Sequence, residues 1–166
     1  KIDSSAFSGC AGLKQVVIGD GVTEIGSSVF SGCRALESIT IGSGVAKIGV
    51  DAFKNCEKLE NVYITDVAAW CGIEFEKPRY SSSFVNGHTE ITAYPMYYAD
   101  NLYLNGQLIT ELVIPEGVTV INPYAFEFVT HIKSVRIPST VQRIGEFAFA
   151  SMDIEALYIS DLAAWC

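Results

Sequence analysis

Basic charge is scarce in this chain. Of 166 residues, 11 are Lys or Arg against 19 Asp or Glu, for a formal net charge of -8. A nucleic-acid binder needs a basic face to neutralise phosphates, so that class is excluded. Docking on an anionic membrane is disfavoured for the same reason. Long apolar runs are missing as well. None approaches the roughly 18 residues of a spanning helix, so no membrane insertion is expected. Histidine occurs twice, as His88 and His131. Neither has a partner at metal-ligand spacing, and no His/Cys pair recurs. The sequence also lacks G-x-S-x-G, a P-loop and G-x-G-x-x-G. No catalytic, cofactor-binding or metal-binding residues are therefore expected, and the chain is not read as an enzyme. Its opening, Lys1-Ile2-Asp3-Ser4-Ser5, does not read as a signal peptide, and the chain reads as starting and stopping inside repeats.

What the sequence has is periodicity. Phe7, Phe30 and Phe53 are spaced by 23 residues, and Phe126 and Phe149 repeat the step. From Phe30, apolar residues fall at Cys33, Leu36, Ile39, Ile41, Val45 and Ile48, and Gly49 precedes Ala52-Phe53. From Phe126 the same slots hold Val129, Ile132, Val135, Ile137, Val141, Ile144 and Gly145. Such self-similarity is the mark of a repeat architecture. Each apolar-x-apolar pair (Val16/Ile18, Ile39/Ile41, Val62/Ile64, Leu112/Ile114, Val135/Ile137, Leu157/Ile159) reads as a short strand with alternate side chains buried. Successive coils stack these strands into a parallel sheet. The Gly-Val-x-x-Ile-Gly stretches return along the other side, with Gly expected at tight turns of unusual backbone angle. One coil buries too little apolar surface to offset the ordering of its backbone, so stability has to come from stacking.

These residues resemble a known family. The pattern Leu-x-x-Ile-x-Ile, Val-x-x-Ile-Gly, Ala-Phe-x-x-Cys is similar to the BspA-like, Treponema-type leucine-rich repeats over roughly residues 1–65 and 111–160. The segment Asp66-Val67-Ala68-Ala69-Trp70-Cys71 is similar to segments of surface proteins of gut-dwelling bacteria with such repeats. The resemblance implies a right-handed leucine-rich-repeat solenoid. It also implies an extracellular or cell-surface bacterial protein that acts in adhesion or protein binding rather than catalysis. Val129 and Met152 stand where the pattern has Cys, and Asn122 where it has Gly; these read as packing changes.

The chain divides into four stretches on this reading. Repeat block 1 covers 1–65, an interruption 66–110, repeat block 2 111–160, and a second copy of the interruption begins at 161–166. In the interruption, Val67 to Cys71 reads as a short helix with Asp66 as N-cap. Asp161-Leu162-Ala163-Ala164-Trp165-Cys166 repeats it 95 residues later. Asp66 and Asp161 therefore read as caps, not catalytic carboxylates. Lys77 to Thr89 reads as loop. Asn105-Gly106 between apolar alternations predicts a β-hairpin over 102–109, leading back into the sheet at Leu112. Cys10, Cys33 and Cys56 share one slot of successive coils. Stacked coils would bring them within disulfide range, but the slot accepts Val129 and Met152, so they read as buried free thiols acting as small hydrophobes. Cys71 and Cys166 read as helix-packing residues. The odd count of five leaves the redox compartment open.

A partner surface is expected on the outward strand positions: Gln15, Val17, Ser38, Thr40, Asn61, Tyr63, Glu111, Val113, Ser134, Arg136, Ala156 and Tyr158. Tyr63 and Tyr158 are the candidate anchors. A host or bacterial surface protein or a glycan is the expected partner class; a merely solvated face fits the pattern equally well. Tyr94-Pro95-Met96-Tyr97-Tyr98 is a second candidate, better read as packing over the interrupted coil. Two functions stay open, an interaction or adhesion module and a passive spacer holding another domain. An enzyme site in the interruption is a weaker third.

Overall fold

Short β-branched runs, each followed by a turn, can bury their side chains only against copies of themselves, and the chain does this coil upon coil. The structure is a computed structural model that describes residues 1–77 and 94–160, plus the backbone of Phe84–Val85 and His88–Thr89. In chain order the strands are β1 (Gln15–Ile18), β2 (Glu24–Ile25), β3 (Ser38–Ile41), β4 (Lys47–Ile48), β5 (Asn61–Ile64), β6 (Glu74–Phe75), β7 (Phe84–Val85) and β8 (His88–Thr89). They continue as β9 (Asn101–Leu104), β10 (Gln107–Leu108), β11 (Glu111–Val113), β12 (Val120–Ile121), β13 (Ser134–Ile137), β14 (Arg143–Ile144) and β15 (Ala156–Ile159). A five-residue helix, α1 (Val67–Cys71), and a single 3-10 turn at Pro95–Tyr97 complete the described elements.

The result is a parallel-strand solenoid of leucine-rich-repeat type with little helix. One sheet runs β1-β3-β5-β9-β10 and a second β11-β13-β15. The return sides form narrower ladders, β2-β4-β6 and β12-β14. Strands from successive coils pair in register, Val16 with Ile39 with Val62 and Ile18 with Ile41 with Ile64. That register places every inward slot above its equivalent, and most are fully buried. Phenylalanines stack the same way. Phe7 lies 5.8 Å from Phe30, Phe30 5.7 Å from Phe53, and Phe126 5.6 Å from Phe149, with ring planes within 21°.

The hairpin forms where Asn105-Gly106 predicts it. Both turn residues have positive φ, 49° and 81°, as a two-residue turn matching strand twist requires. Its first strand has a second role that the hairpin reading does not contain. β9 pairs in parallel with β5, Val62 beside Leu102 and Ile64 beside Leu104, and so extends the first sheet. β10 then closes that sheet in antiparallel fashion, and β11 opens a separate one.

Three expectations are corrected. Gly21, Gly26, Gly44 and Gly49 do not have positive φ; Gly26, Gly44 and Gly49 serve close approach of coils instead, and Gly21 faces open space. A Cβ at Gly26 would lie 2.8 Å from Ser4 N and 2.9 Å from Ile2 O. The left-handed residues flank the Phe corner: Ser5, Ser28, Asp51, Tyr124 and Phe147 two positions before it, and Gly9, Gly32, Asn55, Phe128 and Ser151 two positions after. Cys10 is exposed rather than buried, because it lies on the outer side of the first coil, whereas Cys33 and Cys56 are enclosed by coils on both sides. The expected loop from Lys77 to Thr89 is corrected in part, because Phe84–Val85 and His88–Thr89 pair as antiparallel strands; its residues 78–83 and 86–87, the side chain of His88 and the second helix copy, Asp161 to Cys166, lie outside the described residues.

Candidate partner-binding face

Alternation along each strand leaves two side chains per rung pointing away from the core. Across the first sheet, register aligns Gln15 with Ser38, Asn61 and Asn101, and Val17 with Thr40, Tyr63 and Tyr103. Gln15 and Val17 are exposed, and the others are half-buried by their neighbours. Tyr63 and Tyr103 stack with centroids 4.7 Å apart. Asn101 Nδ2 donates to Asn61 Oδ1 at 3.1 Å. Across the second sheet, Glu111 aligns with Ser134 and Ala156, and Val113 with Arg136 and Tyr158. Arg136 Nε donates to Glu111 Oε1 at 2.8 Å while its guanidinium lies 4.2 Å from the centre of the Tyr158 ring. Such a contact restricts both side chains. The outward placement of all twelve residues follows the alternation. Asn101 and Tyr103 join them, and the signal for both was present, since Leu102-x-Leu104 is another apolar-x-apolar pair.

The segment between the sheets acts as a joint. Within a stack, the amide of each corner Phe donates to the carbonyl one coil on, Phe30 N to Ala52 O and Phe126 N to Ala148 O. Among the described residues, no Phe amide donates to Ala125 O, the equivalent acceptor in the first coil of the second stack. Trp70 Nε1 donates to it at 2.6 Å and the Tyr94 hydroxyl at 2.9 Å. On the other side, Asn55 N donates to the Tyr98 hydroxyl at 3.0 Å. Asn122, the departure from the Gly pattern, is explained here. Its amide N donates to Cys71 O at 2.8 Å, and its Nδ2 donates to Gly72 O at 2.8 Å and to Ile73 O at 3.3 Å, satisfying carbonyls at the end of α1. Asp66 caps the other end, accepting from Ala69 N at 2.9 Å. Trp70, Phe75 and Tyr94 meet edge to face or tilted inside the joint, with Phe75 and Tyr94 4.9 Å apart. Of the tyrosine-rich segment, Tyr94 and Met96 are therefore core, in keeping with packing rather than display.

Six copies of the pattern described as BspA type Leucine rich repeat region match residues 1–77 and 97–164. The chain belongs to the BspA-type leucine-rich repeat family. This repeat family suggests a protein-interaction module, and its members are typically binding modules rather than enzymes. No curated protein matches the chain. Among solved structures it is similar to a leucine rich cell surface protein from Faecalibacterium prausnitzii, at 24% identity and a TM-score of 0.45, covering 97% of this chain and 46% of that one. It is also similar to a leucine-rich repeat protein from Bacteroides ovatus, at 23% identity and a TM-score of 0.46, covering 98% and 44%. The T. pallidum leucine rich repeat protein matches at 19% identity with a TM-score of 0.40, covering 94% and 65%. The chain thus spans less than two thirds of the length of each.

In this BspA-type array Cys33, Cys56 and His131 Nδ1 have structural partners. Cys33 Sγ donates to Phe7 O at 3.3 Å and Cys56 Sγ to Phe30 O at 3.2 Å, so the thiol slot hydrogen-bonds from coil to coil. Burial pushes the Cys56 and Cys71 thiols up to about 12, which keeps them protonated and unreactive. His131 Nδ1 lies 2.8 Å from Asp100 O, so it carries the proton and ties the second stack to the start of β9. Among the described residues, no three His, Cys, Asp or Glu side chains are placed to hold a metal, and no helix is long and apolar enough to cross a membrane.

Glu127 was not anticipated. It is 3% exposed, beside the joint. Its carboxyl is pushed up to about 7 by burial, with Lys77 drawing it partly back. The folded protein therefore binds this proton more tightly than the unfolded chain does. The group's contribution to stability is full below about pH 4.5 and is lost as pH rises through about 7. Glu127→Gln should be more stable than the parent at pH 8 by on the order of 1–3 kcal/mol, and about equal to it at pH 4. Thermal melts at the two pH values check this; equal shifts at both would contradict it.

Proposed function

We propose that the chain is the non-catalytic interaction and adhesion part of an extracellular or cell-surface bacterial protein, binding partners through its outward sheet faces. One observation carries this reading. Inward strand positions repeat almost unchanged from coil to coil, Val16/Ile18, Ile39/Ile41 and Val62/Ile64. The outward pairs change at every coil, Gln15/Val17, Ser38/Thr40 and Asn61/Tyr63. Packing accounts for the first set and places no demand on the second. Solenoids offer such extended faces to partners, and family membership supports both the binding role and the surface location.

The buried joint favours a second reading, a passive spacer, because it fixes two stacks into one rod. The two readings separate experimentally. The full 166-residue chain is compared with a face variant carrying Tyr63→Thr, Tyr103→Thr, Arg136→Ser and Tyr158→Ala, its fold verified by thermal melting. Both are measured against immobilised extracellular-matrix proteins and glycans. The interaction reading expects at least one ligand for the parent chain and a loss of about tenfold or more in the variant. Binding that is absent, or identical in the two, leaves the spacer.

A further inference from the structure

We infer that the first sheet face takes a linear, uncharged glycan lying across the strands. This rests on the reading of the sheet faces as binding surfaces and adds the ligand class of one of them. Two rows cross that sheet side by side. One is Gln15, Ser38, Asn61 and Asn101, amides and a hydroxyl. The other is Val17, Thr40, Tyr63, Tyr103 and Leu108, apolar or aromatic at four of five places. Neither row holds an Asp, Glu, Lys, Arg or His, in a chain with 19 acidic and 11 basic residues.

A sugar ring has the same two-sided character. Its hydroxyls need neutral groups that both donate and accept, which amides and hydroxyls supply. Its C–H face packs on aromatic and aliphatic surface, and tyrosine adds a polar tip. Spacing agrees as well. Strands recur about every 4.8 Å, close to the length of one ring in a linear, equatorially linked chain, so successive rings meet successive rungs. The face is also held ready. The Asn101–Asn61 hydrogen bond leaves Asn61 Nδ2 as a donor and Asn101 Oδ1 as an acceptor in fixed directions. The stacked Tyr63–Tyr103 pair loses little freedom on binding.

Charge narrows the ligand. A net charge of -8 repels anionic polysaccharides. A polypeptide partner with charged side chains finds no pairing group within these two rows, whereas the second sheet carries Glu111 and Arg136 on its rows.

Calorimetric titration of the full chain with cellohexaose, mannohexaose and chitohexaose tests the assignment, with their trimers and hexagalacturonate alongside. The repeat itself supplies mild variants: Tyr63→Thr and Asn61→Ser place at β5 the residues β3 already carries. Expected is binding of at least one neutral hexasaccharide, about tenfold tighter than its trimer, and none of hexagalacturonate. Tyr63→Thr with Tyr103→Thr, and Asn61→Ser, weaken it about tenfold or more. Glu116→Gln, at an exposed turn after β11 and outside both faces, leaves it unchanged. Absence of hexasaccharide binding, or binding indifferent to the first-sheet variants, overturns the glycan. If a protein ligand is meanwhile lost from the face variant, the broader interaction reading survives; if no ligand depends on either face, both fall.

Discussion

Trp70→Ala is expected to lower stability by about 3–5 kcal/mol, the usual cost of emptying a large buried aromatic site. Trp70 is 1% exposed and packs with Phe75 and Tyr94. Its indole N–H and the Tyr94 hydroxyl both donate to Ala125 O, one to each lone pair. The shared acceptor makes a sharper test. Trp70→Phe or Tyr94→Phe alone leaves that carbonyl one donor, and each should cost on the order of 1 kcal/mol through the lost bond. Together they leave it buried and unpaired, adding a desolvation penalty of about 1–3 kcal/mol. The double variant should therefore lose more than the sum of the singles, a coupling that a denaturant double-mutant cycle measures. Strict additivity would mean that the bonds are not exchangeable and that the joint does not replace the missing Phe amide. Trp70→Ala should also give two unfolding transitions where the parent chain is expected to give one, because the stacks meet through this cluster.

Gly44→Ala should cost about 3 kcal/mol or more, at the upper end of overpacking penalties, and Gly21→Ala close to nothing. The two occupy the same repeat slot one coil apart. A methyl at Gly44 would overlap Asp20 O of the preceding coil and come within 2.9 Å of Asp20 C. At Gly21 nothing lies within 4 Å of the same methyl. Neither has positive φ, so conformational strain does not separate them. Urea unfolding of both variants decides the matter. Equal losses would point to backbone flexibility rather than coil approach as the reason for glycine.

That pair of glycines also marks where legibility stopped. The slots were readable, since period fixes which residues share a position, but their purpose was not. A glycine selected for backbone angle and one selected for a close neighbour look alike in a linear chain. The corner residues show the converse. Tyr124 and Phe147 adopt left-handed φ of 67° and 57°, which their residue types conceal. Burial followed the same division: Cys10, Cys33 and Cys56 are equivalent in sequence, and only stacking makes the first exposed.

Asn101 and Tyr103 were within reach of the pattern but fell out of phase with it. They follow Asn61 and Tyr63 by 40 residues rather than 23, because α1 and the segment after it intervene. Local alternation identified the strand, and only pairing to β5 showed which sheet it joined. The partners of Trp70, Tyr94, Tyr98 and Asn122 were beyond reach, as each bonds a group 31 to 55 residues away.

By itself, then, the sequence determined the coil: its apolar slots, its strand, its Asn-Gly hairpin, its capped helix and the family to which it belongs. All of these depend on residues close in the chain and on a period that repeats them. The tertiary structure decided how stacks begin, end and join, and which outward side chains lie together. Tyr63 meets Tyr103, Asn61 meets Asn101 and Arg136 meets Tyr158 because strands distant in sequence pair in one register. A face made of one or two residues from each coil exists only after the coils have stacked.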